Sequence, residues 1–166
     1  RAAREAKGGN MFPFLQNYFQ TIAMGMVSRS AEHAKELGHM RPTDRVVMNP
    51  FETLHVARSE ARAMFEAGHR PPLRDRDFPV AGRGGVATLK MMLVNMLEGQ
   101  FISEYDFEVG SRVANVLCGG DVENGTLVDE NWIIELERKE FMTLARNPKT
   151  HARIKHMLET GKPLRN

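Results

Sequence analysis

Histidine and cysteine are the residue types here with the most versatile catalytic and metal-binding chemistry. His151 and His156 are five positions apart, so a helix does not place them on one face. Four further histidines are scattered along the chain, at positions 33, 39, 55 and 69. We interpret all six as ordinary surface or boundary residues. Cys118 follows an apolar helical stretch with no candidate base beside it, which indicates a packed, inert thiol.

A glycine-rich run, Gly82-Arg83-Gly84-Gly85, is the second candidate for chemistry. At a helix N-terminus the free backbone N–H groups of such a run could hold a phosphate. The run matches neither a P-loop nor a dinucleotide-binding glycine motif, and no strand is predicted before it. We therefore favour a flexible entry to a helix, with the phosphate cradle as the alternative.

Carboxylates are plentiful but do not form an evident acid–base pair. Glu135, Glu137 and Glu140 alternate with Arg138 and Lys139 on one predicted helix. That pattern is typical of a solvated, salt-bridged face. The sequence therefore predicts no catalytic, cofactor-binding or metal-binding residue in this chain.

Apolar residues recur at spacings of three and four over most of the chain, which predicts a mainly α fold of about six to seven helices. Ser, Asp and Asn caps predict where helices begin, and glycines predict where they end. The start signals are Ser30, Asn49-Pro50, Ser103 with Asp106, Asp129, and Asn147-Pro148. Residues 45–48 are the only plausible strand, and residues 121–128 read as a loop.

The predicted organisation has a helical region at 1–68, a linker at 69–85 and a second helical region at 86–166. The linker carries prolines and charges without apolar period. In the first region, the helix after Pro50 has a predicted buried face formed by Leu54, Ala57, Ala61, Met64 and Phe65. The helix near 14–26 carries more apolar surface than a peripheral helix needs, which predicts self-association through Phe19 and Ile22.

Composition narrows the class of protein. The 166 residues are 27% charged and 42% hydrophobic, which excludes a disordered or collagen-like chain. A net charge of +2 does not imply a nucleic-acid partner. No apolar stretch is long enough to span a membrane. A single cysteine fits a reducing, cytoplasmic compartment. Because the chain begins with Arg1, we expect it to be a fragment of a longer protein.

Several segments resemble known enzymes. Residues 21–38, with Ala31, Ala34, Leu37 and Gly38, resemble the helices that follow the catalytic core in enoyl-CoA hydratases of the crotonase family. Residues 37–49, 116–122 and 156–166 are similar to the C-terminal end of long bacterial 3-hydroxyacyl-CoA dehydrogenases. In that family a dehydrogenase part comes first and a hydratase-like part last.

The resemblance implies that this chain belongs to a longer parent enzyme, in which other parts carry out the reaction. The parent would use NAD and acyl-CoA, with an oxyanion hole for the thioester enolate and a His–Glu pair in the dehydrogenase. None of these motifs occurs in this sequence. The chain is then expected to be a non-catalytic helical part that completes acyl-CoA handling or subunit contacts in a homo-oligomer. The alternative is a helical interaction or oligomerisation module without a role in acyl-CoA binding.

Overall fold

The computed structural model describes residues 1–71 and 77–166, and the mainly helical fold is confirmed there. This described part contains eight α-helices, a single turn of 3-10 helix at Pro50–Glu52 and two short strands. The helices are α1 (Ala2–Glu5), α2 (Phe12–Ala23), α3 (Ala31–Glu36), α4 (Thr53–Glu66), α5 (Gly82–Glu98), α6 (Glu104–Leu117), α7 (Glu130–Ala145) and α8 (Pro148–Thr160). The strands are β1 (Phe78–Pro79) and β2 (Leu127–Val128).

The chain forms two compact units, Arg1–Met26 with Asp75–Asn166, and Val27–Arg74. The first, the α5–α6 unit, contains α1, α2, α5 to α8 and both strands. The second, the α4 unit, contains α3, the 3-10 turn and α4. The division into 1–68, 69–85 and 86–166 stays a prediction, and residues 72–76 of the predicted linker lie outside the described residues. Of the remainder of that linker, 78–79 form β1 and 82–85 form the start of α5, which we predicted to begin near Val86.

The core of the α5–α6 unit lies between α5 and α6. Leu89 of α5, Ala114 of α6 and Cys118 have no solvent-exposed surface. Leu93 packs directly over Gly110, where an added Cβ would lie 3.0 Å from the leucine methyls. Close packing of this kind is possible because Gly110 has no side chain, so α5 and α6 approach each other closely.

Helix α2 covers the same core. Leu15 and Phe19 are buried with the α5 and α6 residues, and Ala2 of α1 joins them. Ile22, by contrast, is half exposed. The sequence-based expectation of a self-associating α2 face is therefore wrong for Phe19, because its apolar surface is already buried within one chain.

The two strands pair antiparallel, with Phe78 opposite Val128. The N–H of Gly125 donates to the carbonyl of Val80 at 2.8 Å and extends the pairing. The predicted strand at 45–48 is wrong, and the predicted loop at 121–128 contains β2. A short extended segment is stable only when it is paired. Within the described residues, 45–48 has no strand partner, and Arg45 instead forms an ion pair with Glu60 of α4.

Side-chain caps begin α3, α6, α7 and α8 where the sequence placed them. The Asp129 carboxylate accepts from the N–H of Trp132 at 2.8 Å, and the Ser30 hydroxyl accepts from the N–H of His33 at 3.1 Å. Ser103 and Asp106 form a reciprocal capping box. Each cap satisfies backbone donors that the first helical turn leaves unpaired. These helix boundaries are confirmed.

The predicted buried face of α4 is wrong. No residue of α4 is buried, and the exposed fractions of Leu54 and Phe65 are 81% and 84%. The helix is amphipathic, but in the described residues its apolar face is not covered. Among the helices of the described ranges, none is long and apolar enough to cross a bilayer.

Candidate functional site

The glycine-rich run lies at the start of α5 with most of its N–H groups already used. The N–H of Gly82 donates to the Cys118 carbonyl and that of Arg83 to the Val122 carbonyl, both at 2.8 Å. The N–H of Gly85 donates to the Ala81 carbonyl. The Arg83 guanidinium pairs with Asp121 and Glu123. Three of the four N–H groups and the only cation of the run are therefore engaged, which favours the helix entry over a phosphate cradle.

Cys118 is wholly buried at the end of α6. Its Sγ lies beneath Gly85, where an added Cβ would be 3.0 Å from the sulfur. Burial raises the pKa of the Cys118 thiol to about 12. The thiolate, which is the reactive form, is disfavoured at neutral pH, so the geometry supports the interpretation of an inert packed thiol.

Cys118 should therefore react very slowly with an aromatic disulfide reagent in the native protein. At pH 8 a thiol with a pKa about 12 has roughly one molecule in 10,000 as thiolate, and burial blocks access to it. We expect at least about a hundredfold faster labelling in denaturant. Because the chain has one cysteine, the absorbance change reports this residue alone. Native labelling at the rate of an exposed thiol would contradict the assignment.

Glu140 departs from the predicted solvated face. Glu135 and Glu137 are not buried, but Glu140 is only 8% exposed. Its carboxylate accepts from Arg112 and from the Asn115 amide of α6, each at 2.8 Å. Glu140 therefore ties α7 to α6. Sequence reasoning missed this role because the partners lie 28 and 25 positions away.

The histidines are dispersed, as the sequence indicated. A ring nitrogen of His151 lies 2.6 Å from the Ala145 carbonyl oxygen, at the turn between α7 and α8. Nδ1 of His33 accepts from the Arg29 N–H. In the ranges that the structure describes, no three His, Cys, Asp or Glu side chains are grouped closely enough to hold a metal ion. The two histidines named here make local backbone contacts.

A group of polar and charged side chains lies between the start of α6 and the first half of α8. We call this group the α6–α8 cluster: Ser103, Tyr105, Asp106, Lys149, Thr150, Arg153 and Asn166. The Arg153 guanidinium pairs with Asp106 at 2.8 Å. Arg153 and Lys149 also face the ring of Tyr105, at 4.8 and 5.5 Å from its centroid. The cluster joins three segments that are distant in sequence.

The electrostatics of this cluster favour an ionised Asp106. Partial burial alone would raise the pKa of its carboxyl, but hydrogen bonds from Ser103 and Arg153 and the charge of Arg153 outweigh that effect. The pKa of Asp106 is therefore lowered from its usual value. A carboxylate that is stabilised in this way is a poor general acid or base near neutral pH.

The geometry of the α6–α8 cluster thus suits holding α6 and α8 together rather than catalysing a reaction. The Tyr105 and Thr150 hydroxyls are hydrogen-bonded to each other, and Arg153 donates to Asp106 and Asn166. The capping box was visible in the sequence as Ser103 with Asp106. The contacts of Ser103 with Arg153 and Asn166 were not, because no local pattern signals contacts across 50 or more positions.

The outer surface of α8 carries a shallow depression of about 380 Å³. Its lining consists of His151, Ile154, Lys155, Leu158 and Glu159, all on α8. A ligand site usually combines groups that converge from several elements. This depression lacks that feature within the described residues, so it does not define a substrate pocket.

Comparisons with known proteins bear on the family. No family model matches the chain, and no solved structure matches it. The chain is 40% identical over 148 residues to a probable 3-hydroxyacyl-CoA dehydrogenase of Bacillus subtilis (strain 168). The match covers 89% of this chain but 19% of that protein, so the chain spans about a fifth of its relative's length. The similarity supports the 3-hydroxyacyl-CoA dehydrogenase side of the resemblance and leaves the crotonase-like side without support.

Proposed function

We propose that this chain is a non-catalytic helical part of a fatty-acid β-oxidation enzyme, a 3-hydroxyacyl-CoA dehydrogenase with an enoyl-CoA hydratase-like region. The observation that carries the proposal is the 40% identity over nearly the whole chain to a small part of a probable dehydrogenase. The contacts of Arg83, Asp106 and Glu140 support a structural role, because each charge is paired within the chain.

In this proposal the rest of the parent supplies the chemistry. NAD and acyl-CoA would bind mainly to parts of the parent outside this chain, in the cytoplasm. The helices described here would complete the part that handles acyl-CoA or provide contacts between subunits of a homo-oligomer. Such contacts need apolar surface more than catalytic groups.

The purified chain should then turn over neither crotonyl-CoA nor 3-hydroxybutyryl-CoA with NAD. The expected rate is that of a mock preparation, because the α6–α8 cluster and the α5 start offer neither a free oxyanion-binding N–H pair nor a positioned base. Loss of the absorbance of the conjugated enoyl group measures hydration of crotonyl-CoA, and formation of NADH measures oxidation of 3-hydroxybutyryl-CoA. A complete enzyme is the positive control. Reproducible turnover above the mock preparation would overturn the non-catalytic assignment.

A second candidate function is an interaction module, and the exposed apolar face of α4 favours it. Leu54 and Phe65 of α4 are each more than four-fifths exposed, and so is Phe51 in the 3-10 turn before this helix. Apolar groups arranged on one helical face seldom stay in water when a partner can cover them. A role in subunit contacts within the parent would serve both candidate functions.

We expect the isolated chain to self-associate through this face. Replacing Leu54 and Phe65 with serine should weaken the association about tenfold or more, because burial contributes about 25 cal/mol per Å² of apolar surface. The matched control is Ser59→Asn, a polar exchange at an exposed position on another side of the same helix, which removes no apolar surface. Light scattering over a concentration series measures the effect. A monomer at every concentration, or equal effects of the variants, would contradict this prediction.

A further inference from the structure

The attachment of α8 to the rest of the α5–α6 unit depends little on apolar burial. No residue of α8 is buried, and Ile154 and Leu158 are 50% and 82% exposed. Several polar contacts join α8 to α6: the Arg153–Asp106 ion pair, the Thr150–Tyr105 hydrogen bond and the two cations over Tyr105. Polar contacts of this kind each contribute modestly. Helix α8 is therefore an element whose position a few further contacts can decide.

Asn166 supplies such contacts from the segment after α8. Its side-chain oxygen accepts from Nε of Arg153 at 2.8 Å, and its backbone carbonyl accepts from the Ser103 hydroxyl at 3.1 Å. Its side-chain N–H₂ group donates to the Lys149 carbonyl at 3.4 Å. One residue thus contacts the start of α6, the first turn of α8 and the middle of α8.

This set of contacts fits an asparagine better than its neighbours in size or charge. The amide offers an acceptor to Arg153 and a donor to Lys149 at the same time. An aspartate would keep the acceptor for Nε of Arg153 but lose the donor, and it would place a carboxylate oxygen beside the Lys149 carbonyl oxygen. An alanine would lose both side-chain contacts.

We propose that Ser103, Lys149 and Arg153 form a peptide-recognition site specific for asparagine, which the chain fills with its own segment 162–166. We call this arrangement the Asn166 clasp. Its role is to hold α8 against α6 and so to set the position of the whole α8 surface. The clasp is independent of the proposed function, because it rests on contacts within the α5–α6 unit alone.

Hydrogen exchange of the full chain tests the clasp in its native setting. In Asn166→Ala the amides of residues 154–159 in α8 should exchange about tenfold faster than in the unchanged chain, because local opening becomes easier. Amides at Leu89 and Leu93 in α5 should keep their rates, since they are in the core and do not contact Asn166. Arg165→Ala is the matched control, because Arg165 is the exposed neighbour, and it should leave α8 unchanged.

Two further experiments distinguish specific recognition of Asn166 from a general loosening of the α5–α6 unit. The α8 amides of Asn166→Asp should exchange at rates between those of the unchanged chain and those of Asn166→Ala, since aspartate keeps one acceptor for Arg153. A peptide with the sequence of residues 161–166, added at millimolar concentration to Asn166→Ala, should slow α8 exchange again, whereas the same peptide ending in alanine should not. Unchanged α8 exchange in Asn166→Ala, equal acceleration in α5 and α8, or equal effects of the two peptides would overturn the proposal.

Discussion

Replacing Gly82 with alanine should lower the free energy of unfolding of the α5–α6 unit by about 4 kcal/mol or more. Gly82 has φ +58, a conformation that costs a residue with a side chain about 1–2 kcal/mol. A Cβ there would also lie 2.2 Å from the Val122 carbonyl oxygen and 2.7 Å from the Glu123 carbonyl carbon. Both obstacles are backbone atoms, so relief requires the 121–123 loop to move and breaks the Arg83–Val122 hydrogen bond.

Gly84→Ala provides the matched control two residues away. No heavy atom lies within 4 Å of the position that a Cβ of residue 84 would take, and Gly84 is in the first turn of α5. Alanine there should be neutral or stabilise by up to about 1 kcal/mol, because it reduces the freedom of the unfolded chain. Urea unfolding followed by circular dichroism measures both variants. Equal stability of the two variants would contradict the prediction, because it would show that the close approach at Gly82 does not destabilise the alanine variant.

Leu89→Ala should have the second largest effect, about 2–5 kcal/mol of destabilisation. Leu89 has no exposed surface and lies in the core cluster with Leu93, Ala114 and Cys118. Truncation removes apolar contacts and leaves a cavity that two tightly packed helices can close only in part.

The control for Leu89 lies on the same helix. Met91 is 59% exposed, so Met91→Ala removes similar volume from the surface of α5 and should change stability by about 0.5 kcal/mol or less. Thermal unfolding of the two variants and the unchanged chain provides the comparison. A destabilisation by Met91→Ala that equals that of Leu89→Ala would place the core elsewhere than between α5 and α6.

Local patterns predicted the helices well, because their signals are local. The caps at Ser30, Ser103 and Asp129 act on backbone groups within three residues, so their chemistry is visible in a short window. The apolar period of α5 is a signal of the same local kind, and Leu89 and Leu93, four positions apart on it, are buried. Gly99 and Gly161 end α5 and α8, and a glycine at the end of an apolar period is a local signal of a helix C-terminus.

The features that the sequence did not predict depend on contacts between distant segments. The periodicity of apolar residues carries no information about such contacts. The exposed face of α4 has the same apolar spacing as a buried one, and only the presence of a partner distinguishes the two. Glu140 has the sequence surroundings of a solvated residue, but α6 brings Arg112 and Asn115 to it. The β1–β2 pairing joins residues about 50 positions apart, so neither two-residue strand was visible alone.

We propose that this chain is a structural part of a longer 3-hydroxyacyl-CoA dehydrogenase. The most direct measurement compares the Bacillus subtilis relative with and without the segment that matches this chain, by NADH formation from 3-hydroxyacyl-CoA and by sedimentation. Our account predicts that the shortened protein still binds NAD but has a lower kcat/KM for acyl-CoA or a smaller assembly. It also predicts that the purified 166-residue chain partly restores the lost property. Unchanged kcat/KM together with unchanged sedimentation after the deletion would contradict the account.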